Sequence, residues 1–234
     1  MNIRNYIGIM SGTSMDGTDA VLIRMEGSRW LEAVSHVFIP YSDDLRHELL
    51  DLQNIGNNEL HLSMLLSQKL SCLYADTVSL LLKQTNLQAH DIDAVGCHGQ
   101  TVRHAPEAGY SIQLADLPLL AHLTGIFTIG DFRSRDLAAG APLVPAFHQA
   151  LFQSDSETRV VLNIGGISNI SILPNSSPAF GFDTGPGNML SDAWMQAIWQ
   201  RPYDKDGLIA ATGTVLPELL TRLLDHPYFS SPYP

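Results

Sequence analysis

Residues 6–22 read YIGIMSGTSMDGTDAVL. An apolar run of Tyr6, Ile7, Ile9 and Met10 enters a segment dense in glycine, hydroxyl and carboxylate. A second apolar run, Ala20, Val21, Leu22 and Ile23, leaves it. The pattern predicts a strand, a polar turn and a strand. Gly12 and Gly17 let the backbone bend tightly and come close to a ligand. Ser11, Thr13, Ser14 and Thr18 add hydroxyls, and Asp16 and Asp19 add carboxylates. Backbone N–H groups and hydroxyls make an anion cradle, and a carboxylate beside it can hold a cation. The segment is therefore a candidate site for a Mg-nucleotide's phosphates. An ordinary Gly/Asp hairpin has the same composition, and the segment alone does not separate the two readings.

The pattern returns later in the chain. Residues 159–173 read RVVLNIGGISNISIL, again strand, glycine-rich turn and strand, with Asn163 standing where Met10 does. Between and beyond the two hairpins, short apolar strands are predicted over 30–39, 92–97, 110–114, 126–129 and 180–183. Helices are predicted over 42–52, 58–84, 116–124, 187–199 and 216–226. In the longest, Leu62, Leu65, Leu66, Leu70, Leu73, Leu80 and Leu81 recur near helical spacing and predict one buried face. Apolar strands that end repeatedly in polar residues (HGQT after Cys97, Asp116, Asp131, Asp183) are the mark of an α/β sheet, where ligands sit beyond the strand ends.

A chain of 234 residues forms one large domain or two moderate ones. Its 45% apolar and 16% charged residues are those of a soluble globular protein. The net charge is −11, and Lys69, Lys83 and Lys205 are the only lysines. That balance argues against nucleic acid or an anionic membrane as partner, though a small anionic ligand needs only a local pocket. Cys72 and Cys97 have apolar neighbours and no CxxC spacing, so both are expected to be reduced core thiols of a cytosolic protein. Gly8, Ser11 and Gly12 interrupt the first apolar run, and neither a leader nor a membrane span is expected.

Two strand–glycine–strand hairpins feeding an α/β sheet look like the actin-like ATPase (ribonuclease H-like) fold. The wording of five blocks is narrower. GIMSGTSMDGTDAVL (8–22), CHGQTVRH (97–104), GDFRSRDLAAGAPLVPAFH (130–148), NIGGISN (163–169) and GFDTGPGN (181–188) closely resemble the anhydro-N-acetylmuramic acid kinases. The resemblance implies a two-lobed α/β protein, with a first lobe over 1–150 and the start of a second over 151–234. It implies a reaction in which 1,6-anhydro-N-acetylmuramic acid, ATP and water give N-acetylmuramic acid 6-phosphate and ADP, in bacterial cell-wall recycling. ATP and Mg would be the cofactors and a small anhydro amino sugar the partner, with no nucleic acid and no membrane, in the cytoplasm. A homodimer is compatible with it. Members of the family are longer and carry a further glycine-rich segment, so this chain resembles their first two-thirds. The wider superfamily has Asp where this chain has Met10 and Asn163, so metal positioning must come from elsewhere, Asp16 or Asp183. A non-catalytic nucleotide switch of the same fold and an inactive fragment of the kinase are the alternatives.

Carried onto this sequence, the resemblance makes Asp183 the catalytic residue. Asp183 ends a strand just before a Gly-Pro-Gly helix entry, and its residue type suits either a base or the cap of the next helix. The chemistry asks for a base, because water must attack the anomeric carbon while O6 leaves and takes the phosphoryl group. Gly12, Thr13, Ser14, Met15, Asp16, Gly17, Thr18 and Asp19 would contact the ATP phosphates or their metal, with Asp16 the metal candidate. Gly165, Gly166 and Ser168 would do so from the second hairpin. No GxxxxGK is present and no lysine lies near either hairpin, so backbone donors, hydroxyls and metal must suffice. His98, Gln100, Asp116, Asp131 and Arg133 are the sugar candidates, Arg133 because its fork suits a lactyl carboxylate. Arg135 and Asp136 also suit a structural ion pair. The spacing of His98 and His104 does not favour zinc, and no GxSxG elbow points to a serine hydrolase.

Overall fold

The computed structural model describes residues 3–12, 14–139 and 144–230. The chain divides into two compact units, Met1–Ala141 and Pro142–Pro234, and both are α/β.

The first unit opens with an antiparallel meander of β1 (Ile3–Ser11), β2 (Gly17–Glu26) and β3 (Arg29–Pro40). Two helices follow, α1 (Asp43–Asp51) and α2 (Glu59–Thr85). They lead to β4 (Ala94–Ala105), which lies parallel to β1. β5 (Tyr110–Leu114) folds back antiparallel on β4, and α3 (Leu117–Thr124) leads to β6 (Thr128–Ile129), also paired with β4. The sheet order is β3-β2-β1-β4-β5. A last helix, α4 (Phe132–Ala139), closes the unit.

Local chemistry sets the helix ends. Ser42 accepts the Leu45 N–H at 3.3 Å, with Asp43 and Asp44 in the first turn of α1 where the helix dipole favours them. α2 is bounded by Asn58 and Asn86, both left-handed with φ of 61° and 54°, a conformation asparagine tolerates better than most residues.

The core lies between α2 and one face of the sheet. Leu66, Leu70, Tyr74, Val78 and Leu81 of α2 meet Ile7, Ile9, Ala20, Leu22, Val95 and Cys97. The buried stripe differs from the leucine pattern: Leu62, Leu65 and Leu80 are exposed. Tyr74 and Val78 take the centre of the stripe, and Ser67, Ser71 and Thr77 are buried beside them. Leucines on its flanks therefore stay wet. Cys97 is a core thiol as expected, but Cys72 is exposed on α2.

β4 runs well beyond the expected strand over 92–97. HGQT does not end it but forms a bulge within it. Gly99 sits at φ 75°, and a Cβ there would lie 2.9 Å from the Leu114 carbonyl oxygen of β5. The inserted residue resets the alternation, so Gln100 and Val102 face the core as Val95 and Cys97 do before it. A polar run with glycine reads as a strand end in one dimension. Pairing with β1 and β5 makes it a strand.

The second unit begins with α5 (Val144–Phe152) and a sheet ordered β7-β8-β9, made of β7 (Arg159–Ile164), β8 (Ile167–Leu173) and β9 (Phe180–Pro186), all antiparallel. α6 (Met189–Trp199) and α7 (Pro217–Leu224) follow. α5 packs on β8 and β9, and His148 Nδ1 lies 2.8 Å from Ser171 Oγ. α5 thus belongs with the second compact unit. The core here is small, with Pro145, Ser171, Leu173 and Met195 buried. Val160, Leu162 and Ile164 of β7 are 58%, 56% and 65% exposed, whereas Ile7 and Ile9 of β1 are 1% and 3% exposed. Among the described residues no single helix is long and apolar enough to cross a membrane.

Candidate active site

The first glycine turn joins β1 to β2. The Met15 N–H donates to the Gly12 carbonyl at 3.2 Å and closes it. Met15 is left-handed at φ 53° and its side chain is fully buried in the core. It pins the turn from below, and any ligand contact must come from its backbone. Thr18 is also turned inward, onto the face shared with Ala20 and Leu22, and its hydroxyl is enclosed. Gly17 is glycine for packing: a Cβ there would lie 2.5 Å from the Phe38 ring and from the Ile39 carbonyl. Asp19 lies on the opposite face, 2.7 Å from His36 Nε2, in a hollow shared with Gly8, Met10, Gly96 and Phe132. Alternation along β2 thus sends Thr18 inward and Asp19 to the other face, and Met15, just before the strand, points into the core, so a contact of Met15, Gly17 or Thr18 with a phosphate would be through backbone.

What remains at the surface of the turn is Gly12, Ser14 and Asp16. Ser14 Oγ donates to Asp16 Oδ1 at 2.9 Å, and both residues are exposed. Among the described residues, its chain neighbours apart, a Cβ on Gly12 would meet only Ser14, at 3.2 Å from Oγ and 3.9 Å from N. The space above Gly12 is thus open to a ligand, and a carboxylate with a hydroxyl beside it is a hard-oxygen set suited to a divalent cation. Thr13 lies outside the described residues.

Under the turn is a layer of buried polar groups. Ser11 Oγ lies 3.1 Å from Tyr74 OH. Burial pushes the Tyr74 phenol well above its ordinary value, raises that of Tyr41, and pushes the Cys97 thiol up to about 12. All three are neutral at physiological pH. Gln100 belongs to this layer and is fully buried. Its Nε2 donates to the Gly12 carbonyl at 3.0 Å and to the Thr101 carbonyl at 3.2 Å. Its amide is thus engaged with backbone carbonyls beneath the turn, the position from which any role toward a substrate would have to be played.

Of the other sugar candidates, Asp116 stands where β5 turns into α3, Asp131 and Arg133 where β6 turns into α4, and His98 within β4. Gly130 packs so closely that a Cβ would lie 2.6 Å from Leu117 and 3.0 Å from the Cys97 carbonyl oxygen. Asp116 caps α3 by accepting the Leu119 N–H at 3.0 Å, and its own N–H donates to Ser71 Oγ at 2.8 Å. Asp131 is exposed and left-handed at φ 58°. Arg133 lies 3.4 Å from Asp136, so the ion pair expected between Arg135 and Asp136 is made by Arg133 instead. One helical turn separates these two residues, whereas neighbours in a helix point apart.

His98 is half-buried, and its Nδ1 lies 2.8 Å from the Gly99 carbonyl oxygen, which requires an N–H on Nδ1. Nε2 is then an enclosed acceptor with no partner among the described residues. Burial lowers the pKa of His98, the Gly99 hydrogen bond opposes that, and Arg133 lowers it further against Asp136. A neutral imidazole next to a guanidinium and a carboxylate is a polar group of the kind that orients a sugar.

In the second unit the hairpin turn at Gly165 and Gly166 is gripped by the chain entering α6. Gly187 N–H donates to the Gly166 carbonyl at 2.9 Å and Asn188 N–H to the Gly165 carbonyl at 2.8 Å. A Cβ on Gly187 would collide with the Gly165 carbonyl and lie 2.9 Å from Ser168 Oγ. Gly166 itself is roomier: a Cβ there would be 3.8 Å from Met189 Cβ. Asp183 projects from β9, exposed. Its carbonyl accepts the Tyr228 hydroxyl at 3.0 Å, and its carboxylate has no partner among the described residues. It does not cap α6, which starts at Met189 with Asn188 in the cap position.

A family model described as anhydro-N-acetylmuramic acid kinase matches residues 4–234. The chain belongs to the anhydro-N-acetylmuramic acid kinase family. It is 70% identical to the protein of that name from Neisseria meningitidis serogroup C (strain 053442), over all of this chain and 65% of the relative. It is 50% identical to that from Chromobacterium violaceum, over 98% of this chain and 63% of the relative. The chain thus spans less than two-thirds of the length of these relatives. Among solved structures, the PPX-GPPA enzyme of Aquifex aeolicus aligns over 83% of this chain and 56% of its own, at 8% identity and a TM-score of 0.41. That likeness is too slight to carry an argument.

Against this family background, sequence reasoning missed Tyr74, Gly130 and Gly187, and gave Asp136 a different partner. Gly187 and Gly130 stand inside the quoted blocks, so their signal was present but carried no contact information. Tyr74 lay hidden in a leucine stripe, where nothing marks a residue that supports a turn from beneath.

Proposed function

We propose that this chain carries ATP- and sugar-binding parts of a kinase that opens 1,6-anhydro-N-acetylmuramic acid and phosphorylates it. The products are N-acetylmuramic acid 6-phosphate and ADP. The single observation that carries the reading is Asp183, an exposed carboxylate midway along β9, which runs on past the expected strand end to Pro186, with no partner among the described residues and no capping role. Such a group is free to act as a base. Asp183 takes a proton from water as the water oxygen bonds to the anomeric carbon. The bond from that carbon to O6 breaks, and O6 bonds to the γ-phosphorus as ADP leaves. Phosphoryl transfer to O6 replaces the protonation that a glycosidase obtains from a second carboxylic acid, so one carboxylate suffices.

The open space above Gly12, with Ser14 and Asp16, fits a phosphate and its divalent cation. Ser14 and Asp16 would hold Mg, whose chemistry when bound is to neutralise charge on the phosphates. Gly165, Gly166 and Ser168 are proposed to serve the nucleotide from the second hairpin. His98, Asp131 and Arg133 are proposed for the sugar, with Arg133 on its carboxylate. The two units correspond in this reading to a first actin-like lobe and the start of a second, and the protein works in the cytoplasm.

The test is ADP release, measured with and without the anhydro sugar in a polypeptide of the relatives' full length, in heavy-oxygen water. The expected result is sugar-dependent ADP with label on the anomeric hydroxyl and none on phosphate. ADP release that ignores the sugar would favour a nucleotide switch and overturn the kinase reading.

A further inference from the structure

We propose that Gln100 is a positioning residue for the glycine turn, holding the Gly12 carbonyl inward so that the turn presents donors, not acceptors, to an anion. The proposal rests on the reading of that turn as a phosphate site.

Gln100 and Gly12 are 88 residues apart and meet because β4 lies beside β1, with Gln100 in register with Ser11. The Gly99 bulge makes the meeting possible. Without the extra residue the alternation of β4 would send the glutamine side chain to the far face of the sheet. The Gly12 carbonyl receives two donors, Gln100 Nε2 at 3.0 Å and the Met15 N–H at 3.2 Å. Both are on the protein side, so that oxygen cannot swing outward without losing both bonds. A carbonyl turned outward would face a phosphate with like partial charge, which an anion cradle cannot accept.

The orientation of the amide is fixed. Nε2 faces two carbonyl oxygens, those of Gly12 and Thr101, and a flipped amide would put Oε1 against both. The fixed orientation has a cost: Oε1 is enclosed with no partner among the described residues. A stranded acceptor destabilises a core, and a methionine of similar shape would avoid it. The glutamine is therefore poorly explained as packing and well explained by its grip on Gly12.

The test is Gln100→Met, which keeps length and burial and removes the donor, with Gln100→Glu as a second variant should the first fold poorly. Amide hydrogen exchange over residues 11–17 is measured without ligand in this chain. KM for ATP and for the sugar is measured separately in a polypeptide of the relatives' full length. Exchange in the turn should rise about tenfold, the scale of one net hydrogen bond, while α2 and the β1–β2 ladder keep their protection. KM for ATP should rise by a similar factor with KM for the sugar unchanged. Unchanged exchange in the turn would overturn the positioning role. A raised sugar KM with ATP unaffected would return Gln100 to the substrate. Faster exchange in the turn with both KM values unchanged would sink the phosphate reading while leaving the Gln100–Gly12 contact established.

Discussion

Gly187 lies against the backbone carbonyl of Gly165, with its own N–H donating to the neighbouring Gly166 carbonyl at 2.9 Å. The approach to α6 is thereby clamped onto the turn of the second hairpin. No side chain fits between them. Gly187→Ala should push the two segments apart and destabilise the second unit by roughly 1–3 kcal/mol, the usual scale of overpacking. Gly166→Ala has room and should cost far less. Denaturant midpoints of the two variants check this, and equal midpoints would refute the clamp.

Gly12 and Gly17 stand in the same turn and should respond differently. Gly12 faces open space except for Ser14, while Gly17 is pressed against Phe38 and Ile39. Gly12→Val should leave stability nearly unchanged and weaken nucleotide binding, because the branched side chain occupies the approach to the backbone. Gly17→Ala should instead lower stability. Isothermal titration with ATP in a full-length polypeptide, beside thermal unfolding, separates the two effects. Full affinity in a folded Gly12→Val protein would rule out the cradle.

Asp183→Asn keeps the shape of the side chain and removes the base. α6 is begun by Asn188, so no cap is lost and the unfolding transition should not move. Turnover in a full-length polypeptide should fall by at least ~10²-fold, the ordinary scale of general-base loss, with binding of ATP and sugar retained. Near-normal turnover would remove Asp183 from the mechanism.

His98 ties the stability of the first unit to pH. Its folded-state pKa lies below the ordinary 6.5, chiefly through burial. Between the two values the unfolded chain binds the proton and the folded chain does not. Stability is therefore full above about pH 6.5 and falls as pH drops through that value, levelling off below the folded pKa. Glu59 and Asp204, whose pKa values are lowered by backbone hydrogen bonds, act only in the more acidic carboxylate range. Unfolding free energy measured from pH 8 to pH 5 should show the loss, and His98→Gln should flatten it. An unchanged slope in that variant would assign the effect elsewhere.

Much of this protein was legible in one dimension. The alternation of Ile7, Ile9, Ala20 and Leu22 around a glycine-rich turn gave the first hairpin. The run from Arg159 to Leu173 gave the second. Ser42 marked the start of α1, and five blocks of wording marked the family. All of these are local signals, because period, caps and turn residues act within a few positions of themselves. α4 and α5 were not legible. FRSRDLAA has no clear apolar face, and VPAFHQALF reads as helix only once it has β8 and β9 to pack on.

The site was decided by pairing across long stretches of chain. Sequence placed Gln100 among the sugar candidates because a planar polar side chain in a block shared with the family suits a sugar's hydroxyls and amide. The Gly99 bulge and the β1–β4 register turned it inward onto Gly12. Met15 and Thr18 read as part of a phosphate turn, yet the left-handed backbone at Met15 and the alternation of β2 at Thr18 go with side chains that are buried. Composition determines which groups are available and local pattern determines which elements form. Which face a side chain occupies depends on register with a strand far away in sequence, and one extra residue in β4 reverses it.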